Sequence, residues 1–352
     1  MHTFRDFRAL RVDTDQVSSA ELIQNSAFET GQLVRDQESG YYLYEMAKWR
    51  DSGHALRIMG VFGVLELHKS ATYDRHSELF DESISTTESD ISVHIFPHEQ
   101  TLGDISGASS IAPSLTRDGA GPIWAIADTD IVDMVGPNKI GPIARATDAD
   151  GVAHRLYTLP QPGLIEIVKD AIQECELVLA DGHHRVRAAI DLLADKPAGA
   201  KVELLCFICQ AKDISGIVRP IHRAFSGPSV AKLLEGMSRA IETTEAKPET
   251  PHVELLSSAR SIYVPVAKTV SGTISQIEKY FVDESDVDVE YTTSVEELKE
   301  RVAAGGTIGA KCPAIPVAEI IYAARKRRPL MPKSTLFYPK PIPAMILGED
   351  RS

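Results

Sequence analysis

Residues 177–180, Leu-Val-Leu-Ala, form a short unbroken apolar run, and just beyond them Val186, Ala189, Ile190 and Leu193 recur at helical spacing. Between the two lies Asp181-Gly-His-His-Arg185, five residues that combine a carboxylate, a glycine, two imidazoles and a guanidinium. A buried strand that passes through one tight turn into an amphipathic helix commits this part of the chain to a layered α/β architecture. Packing such a connection requires none of that polar chemistry.

The turn has the makings of an anion site. Gly182 supplies backbone angles closed to other residues, or lets a ligand approach the main chain. The first N–H groups of the following helix point outward at the positive end of its dipole. Arg185 adds a planar fork of donors suited to phosphate or carboxylate. Asp181 has three open roles: helix cap, magnesium ligand, or partner of a hydroxyl. His183 and His184 are adjacent, so at about 3.6 residues per turn their side chains splay apart and do not ligate one ion together.

Asp181-Gly-His-His-Arg185 after an apolar strand resembles the motif of the ParB/sulfiredoxin-like free-serine kinases, and more closely that of a family of larger proteins sharing the same core. Further segments resemble that larger family in the right order. They are Phe7-Arg-Ala-Leu-Arg11, Gly40-Tyr-Tyr-Leu-Tyr-Glu45, His98-Glu-Gln-Thr101, Arg219-Pro-Ile-His-Arg223 and Met331-Pro-Lys-Ser-Thr-Leu-Phe-Tyr-Pro-Lys340. The resemblance implies a mixed α/β fold with a ParB/sulfiredoxin-like core and additional N- and C-terminal α/β portions. It implies a small-molecule phosphotransferase acting on free L-serine or a similar hydroxy compound, with magnesium and with ATP, ADP or pyrophosphate as donor. Glu99 corresponds to the catalytic glutamate of the serine kinases, and a carboxylate near a hydroxyl can accept its proton as the oxygen attacks phosphorus. Asp181 and His183 complete the catalytic set. The resemblance implies His98, Thr101, Gly182, His184, Arg185, His222, Arg223 and Lys333 as the expected phosphate or substrate contacts, with Asp181 as the metal candidate. After Thr101 the family carries a basic and acidic cluster, where this chain has Leu102-Gly-Asp-Ile-Ser-Gly-Ala-Ser-Ser110. A non-catalytic nucleotide-binding regulator and a phosphohydrolase on the same core are the alternatives.

Other classes are disfavoured by bulk properties. The formal net charge of −13 over 352 residues argues against a general nucleic-acid binder, which needs a basic face. No apolar run approaches membrane-spanning length, and Met1-His-Thr-Phe-Arg-Asp6 lacks the pattern of a signal peptide. The expected setting is cytoplasmic, with small-molecule partners. The four cysteines make no disulfide framework. Cys206 and Cys209 lie three apart in an apolar strand-like run, so their sulfurs point to opposite faces as core residues. Lys333-Ser-Thr335 lacks the glycine spacing of a P-loop.

Three portions are expected: 1–90, mixed α/β with strands at 41–44 and 58–67; 91–225, the core; and 226–352, a further α/β portion. Within these, helices are expected near 19–22, 163–174, 229–240 and 295–302, and strands at 91–96, 121–127, 154–159 and 202–209. The stretch 283–290 is expected to be acidic and exposed.

Overall fold

In the computed structural model the structure describes residues 3–13, 33–49, 55–68, 95–97, 121–136 and 140–348, apart from 160, 174, 195, 198, 215 and 285. The expected helix near 19–22 and the start of the expected strand at 91–96 lie outside them. The chain divides into two compact units, one of Met1–Ser215 with Ala324–Pro329 and Pro339–Ser352, the other of Gly216–Ala323 with Leu330–Tyr338.

The first unit is built on a mixed sheet. Its strands are β1 (Thr3–Arg5), β2 (Ala9–Val12), β3 (Leu33–Arg35), β4 (Tyr41–Trp49), β5 (Ala55–His68), β6 (Ile95–Pro97), β7 (Ile123–Ala127), β8 (Ala144–Thr147), β9 (Ala153–Leu159), β10 (Leu177–Asp181) and β11 (Lys201–Gln210). The large sheet runs β6-β10-β7-β11-β5-β4-β9-β8, with β1 also paired to β5. The β6–β10 and β7–β11 pairs are parallel; the other neighbours are antiparallel. β5 lies in the interior of the order, as a long, almost wholly apolar strand requires. This sheet takes β1, β4 and β5 from residues 1–90 and β6 to β11 from residues 91–225. β2 and β3 form a separate small sheet with the Leu347–Gly348 strand.

Helices α1 (Ile131–Val135), α2 (Pro162–Gln173) and α3 (His183–Ala194) bury Val132, Val168, Ile172, Val186 and Ala189 against Leu43, Val61, Ala125, Leu179 and Ile208 of the sheet. The opposite face is aromatic, with Tyr44, Phe62, Phe207 and Trp124 in ring contact at 5.2–5.6 Å along Tyr44–Phe62, Phe62–Phe207 and Trp124–Phe207. The two-residue period sends Cys206 to the helix side, while Cys209 accepts the Trp124 indole N–H at 3.0 Å on the aromatic side. The sulfurs of the C-x-x-C pair therefore diverge.

The second unit holds β12 (Val218–Arg219), β13 (His222–Ser226), α4 (Val230–Gly236), β14 (His252–Leu256), β15 (Ser261–Pro265), α5 (Val270–Val282), β16 (Asp288–Thr292), α6 (Val295–Ala303), β17 (Thr307–Lys311), α7 (Val317–Arg325, its last two residues counted with the first unit) and β18 (Leu336–Phe337). β15-β14-β17-β13-β16 form an antiparallel sheet, and β12 pairs with β18. Thr269 and Ser294 cap α5 and α6 by accepting the N–H groups of Gly272 and Glu297, at 3.1 and 3.2 Å. Phe225 stacks on Phe281 at 4.4 Å in its core. The acidic side chains of the 283–290 stretch that are described, Asp283, Glu284, Asp286, Asp288 and Glu290, are exposed as expected, the last two from β16, whose backbone pairs with β13.

Candidate anion site at the start of helix α3

β10 is buried from Leu177 to Ala180 and becomes half-buried at Asp181, where its register with β7 shifts between Leu179 and Asp181. Such an irregularity re-aims the side chain at a strand's end. Gly182 follows with φ +94°, in the region that favours glycine. Its carbonyl then accepts the N–H groups of Arg185 and Val186, both at 3.0 Å, which starts α3.

Arg185, on the first turn, folds back so that Nη2 donates to Asp181 Oδ2 at 3.2 Å. From the far end of the chain Lys340 Nζ donates to Asp181 Oδ1 at 2.9 Å. One carboxylate thus holds two cations beside a helix N-terminus. Arg185 Nη1 is shut away from solvent and has no acceptor among the described residues. Burial pulls this guanidinium below its ordinary pKa, and Asp181 pulls the other way. A buried donor without an acceptor is costly, and a ligand oxygen is one way to satisfy it.

Two glycines make room around this guanidinium. A Cβ on Gly182 would lie 2.8 Å from Ile123 Cγ2 and 3.0 Å from Arg185 Nη2. On Gly121 it would lie 2.9 Å from Pro343 Cγ and 3.9 Å from Arg185 Nη1. His183 is half-buried and His184 exposed, as splayed neighbours on one turn must differ.

The other sequence candidates fall elsewhere. His98, Glu99 and Thr101 lie outside the described residues; β6 ends just before them, with Pro97 in register with Leu179. His222, Arg223 and Lys333 belong to the second unit. There Arg223 is fully buried, with Nε donating to Glu278 Oε2 at 2.9 Å, Nη1 to the Ile221 carbonyl at 2.5 Å and Nη2 to the Lys333 carbonyl at 3.1 Å. Tyr291 donates to the other Glu278 oxygen at 2.8 Å. The Pro-x-His-Arg arginine is therefore directed at groups of its own unit. His222 is buried too, its Nδ1 accepting the Cys312 N–H at 3.1 Å, and burial, helped by Arg223 and Lys311, lowers its pKa. Lys333 has positive φ (57°) and an exposed side chain, and what it offers Arg223 is its carbonyl.

Sequence reasoning passed over Lys340. It was in view as the last residue of the Met331–Lys340 element, but the pairing with Asp181 spans 159 positions. Among the described residues no three His, Cys, Asp or Glu side chains converge as a metal site, and Asp181 is bracketed by cations. These residues fit an anion, not a protein-held magnesium ion. No helix among them is long and apolar enough to cross a membrane.

Comparison with known proteins places the chain. The DUF1015 family, proteins of unknown function, matches residues 10–298. The chain belongs to that family. No curated protein matches it in sequence. Among solved structures, a mutant free serine kinase in complex with AMP is 16% identical at a TM-score of 0.42, over 72% of this chain and 88% of that chain. A mutant free serine kinase in complex with ADP is 16% identical at 0.39, over the same shares. SbnI with C-terminal truncation from Staphylococcus aureus is 10% identical at 0.42, over 72% of this chain and 84% of that one. At these scores the likeness bears on no individual residue and on no reaction.

Proposed function

We propose that this DUF1015 protein is a small-molecule phosphotransferase that moves a phosphoryl group from a nucleotide or pyrophosphate to free L-serine or a similar small hydroxy compound. The observation that carries the proposal is Arg185 Nη1, a buried cationic donor without an acceptor among the described residues, at the glycine-led start of α3 and beside a second cation on Asp181. The resemblance of Asp181-Gly-His-His-Arg185 and His98-Glu-Gln-Thr101 to the serine-kinase elements supports the choice of reaction.

In this reading the helix N-terminus, Arg185 and Lys340 hold the donor's phosphates, while Asp181 keeps the two cations in place. Pro97 pairs with Leu179, and Glu99 is two residues further on, a reach of roughly 7 Å of chain. Glu99 takes the proton of the acceptor hydroxyl as its oxygen bonds to phosphorus. The bond from phosphorus to the leaving group breaks, and Arg185 stabilises the charge carried away. Magnesium offsets phosphate charge as the donor's counter-ion.

Two variants test this together. Glu99→Ala is expected to retain ADP and pyrophosphate binding and lose transfer by about a hundredfold or more, the usual scale of a general base. Arg185→Gln is expected to lose the binding itself. Transfer that survives Glu99→Ala would refute the mechanism, and unchanged donor affinity in Arg185→Gln would refute the site.

A further inference from the structure

On the aromatic face of the large sheet three polar side chains form a line, two of them buried and the third, Asp148, half-buried. Tyr44 of β4 and His154 of β9 are 0% and 1% exposed. The Tyr44 oxygen lies 2.9 Å from His154 Nδ1, and His154 Nε2 lies 3.5 Å from Asp148 Oδ2. The same Tyr44 oxygen accepts the Ile342 backbone N–H at 3.0 Å, and its hydroxyl has Met345 Sδ, a weaker acceptor than an imidazole nitrogen, at 3.5 Å. We propose that Tyr44, His154 and Asp148 are positioning residues that set Lys340 on Asp181 through Ile342, and thereby tune the hold on a phosphate-bearing ligand. This inference rests on the phosphate reading of the site.

The donor order follows from Asp148 outward. Its Oδ1 already accepts the N–H groups of Asp150 and Val152, at 2.9 and 2.8 Å, so the carboxylate is an acceptor throughout. Oδ2 then takes the Nε2–H of His154, which leaves Nδ1 bare to accept the Tyr44 hydroxyl. The lone pairs of that hydroxyl face the Ile342 N–H. Burial favours the neutral ring that this order needs.

The line has leverage on Lys340 because of the sequence it grips, Pro339-Lys-Pro-Ile-Pro343. Alternating prolines fix every second φ near −65°, so the strap is stiff and holding Ile342 holds Lys340 two residues away. Beyond it, Leu347–Gly348 pairs with β2, and Pro343 lies over Gly121. A strap needing only apolar packing would be served equally well by phenylalanine at 44.

The test uses the full chain and inorganic pyrophosphate, with binding measured by calorimetry for the wild type, Tyr44→Phe, Lys340→Ala and the double variant. Tyr44→Phe keeps the ring contacts to Phe62 and Phe207 and removes only the hydroxyl. Each single variant is expected to weaken binding about tenfold, and the double variant no more than either, because both break one coupled unit. Losses that multiply to about a hundredfold overturn the inference, as does full affinity in Tyr44→Phe. Histidine nitrogen NMR of the wild type gives a second reading with no variant to fold: the relay requires the Nε2–H tautomer of His154, and an Nδ1–H ring overturns it. If the wild type binds no pyrophosphate, the phosphate reading itself fails and the relay loses its role; multiplying losses in a protein that does bind remove the relay alone.

Discussion

Replacing Gly182 with alanine puts the anion site under the most direct structural stress. The position has φ +94°, and a side chain in left-handed backbone costs about 1–2 kcal/mol. The added Cβ would also sit 2.8 Å from Ile123 Cγ2, on a buried strand flanked by β10 and β11. Overpacking of that kind costs about 1–3 kcal/mol, so the two effects together come to about 3 kcal/mol. With a urea slope of about 3 kcal/mol/M, the midpoint should fall by roughly 1 M. Fluorescence of Trp124, buried in β7, reports the transition. The same Cβ lies 3.0 Å from Arg185 Nη2, so pyrophosphate affinity should also fall, by about tenfold. A loss below about 1 kcal/mol with unchanged affinity would refute the account of how the turn holds Arg185.

Glu278→Gln should destabilise the second unit by about 3–5 kcal/mol, because it leaves the Arg223 guanidinium buried against a neutral partner. Thermal unfolding checks this, and a change below about 1 kcal/mol would mean that Arg223 is not held by that pair. Acid should weaken the fold first through two buried histidines. His154 and His222 are both held below the ordinary imidazole pKa by burial, so below about pH 6.5 the unfolded chain binds protons that the folded chain refuses. Their contribution is present above that pH and is lost as pH falls through it. The melting temperature should therefore drop between pH 7.5 and 5.5, and a rise would contradict the burial of both rings. Further acid costs more through Glu203. Burial would raise its pKa, but hydrogen bonds from Lys201 and Arg5 outweigh that and hold it at about 2, so its contribution is lost between about 4.5 and 2.

What was legible in the sequence was local. The run 177–180 and the spacing of Val186, Ala189 and Leu193 give β10 and α3 because both patterns repeat within a few residues. The parity of Cys206 and Cys209 separates their sulfurs for the same reason. Gly182 was legible as a position needing either a special backbone angle or room for a close approach, and its φ of +94° shows the angle. Long-range partners were not. Nothing near Arg223 announces that Glu278, 55 positions on, takes its charge, and a His-Arg pair looks the same whether it meets a phosphate or a buried carboxylate. Lys333 and Lys340 share one element, and only the folded chain distinguishes the lysine that reaches Asp181. β13 was hidden because it is buried from His222 to Phe225 and shows no alternation. The Tyr44 hydroxyl, inside an evident strand, takes its meaning from Ile342, 298 residues away.

The central claim is phosphoryl transfer at the start of α3, and phosphorus NMR of the purified protein tests it most directly. Magnesium and L-serine are present throughout, with ATP, ADP and pyrophosphate offered in separate tubes. The account predicts a phosphomonoester signal that depends on serine and names the donor by the tube in which it grows. Donor breakdown without that ester would assign the site to hydrolysis. Donors that stay intact in all three tubes would contradict transfer outright and leave a protein that only binds its anion.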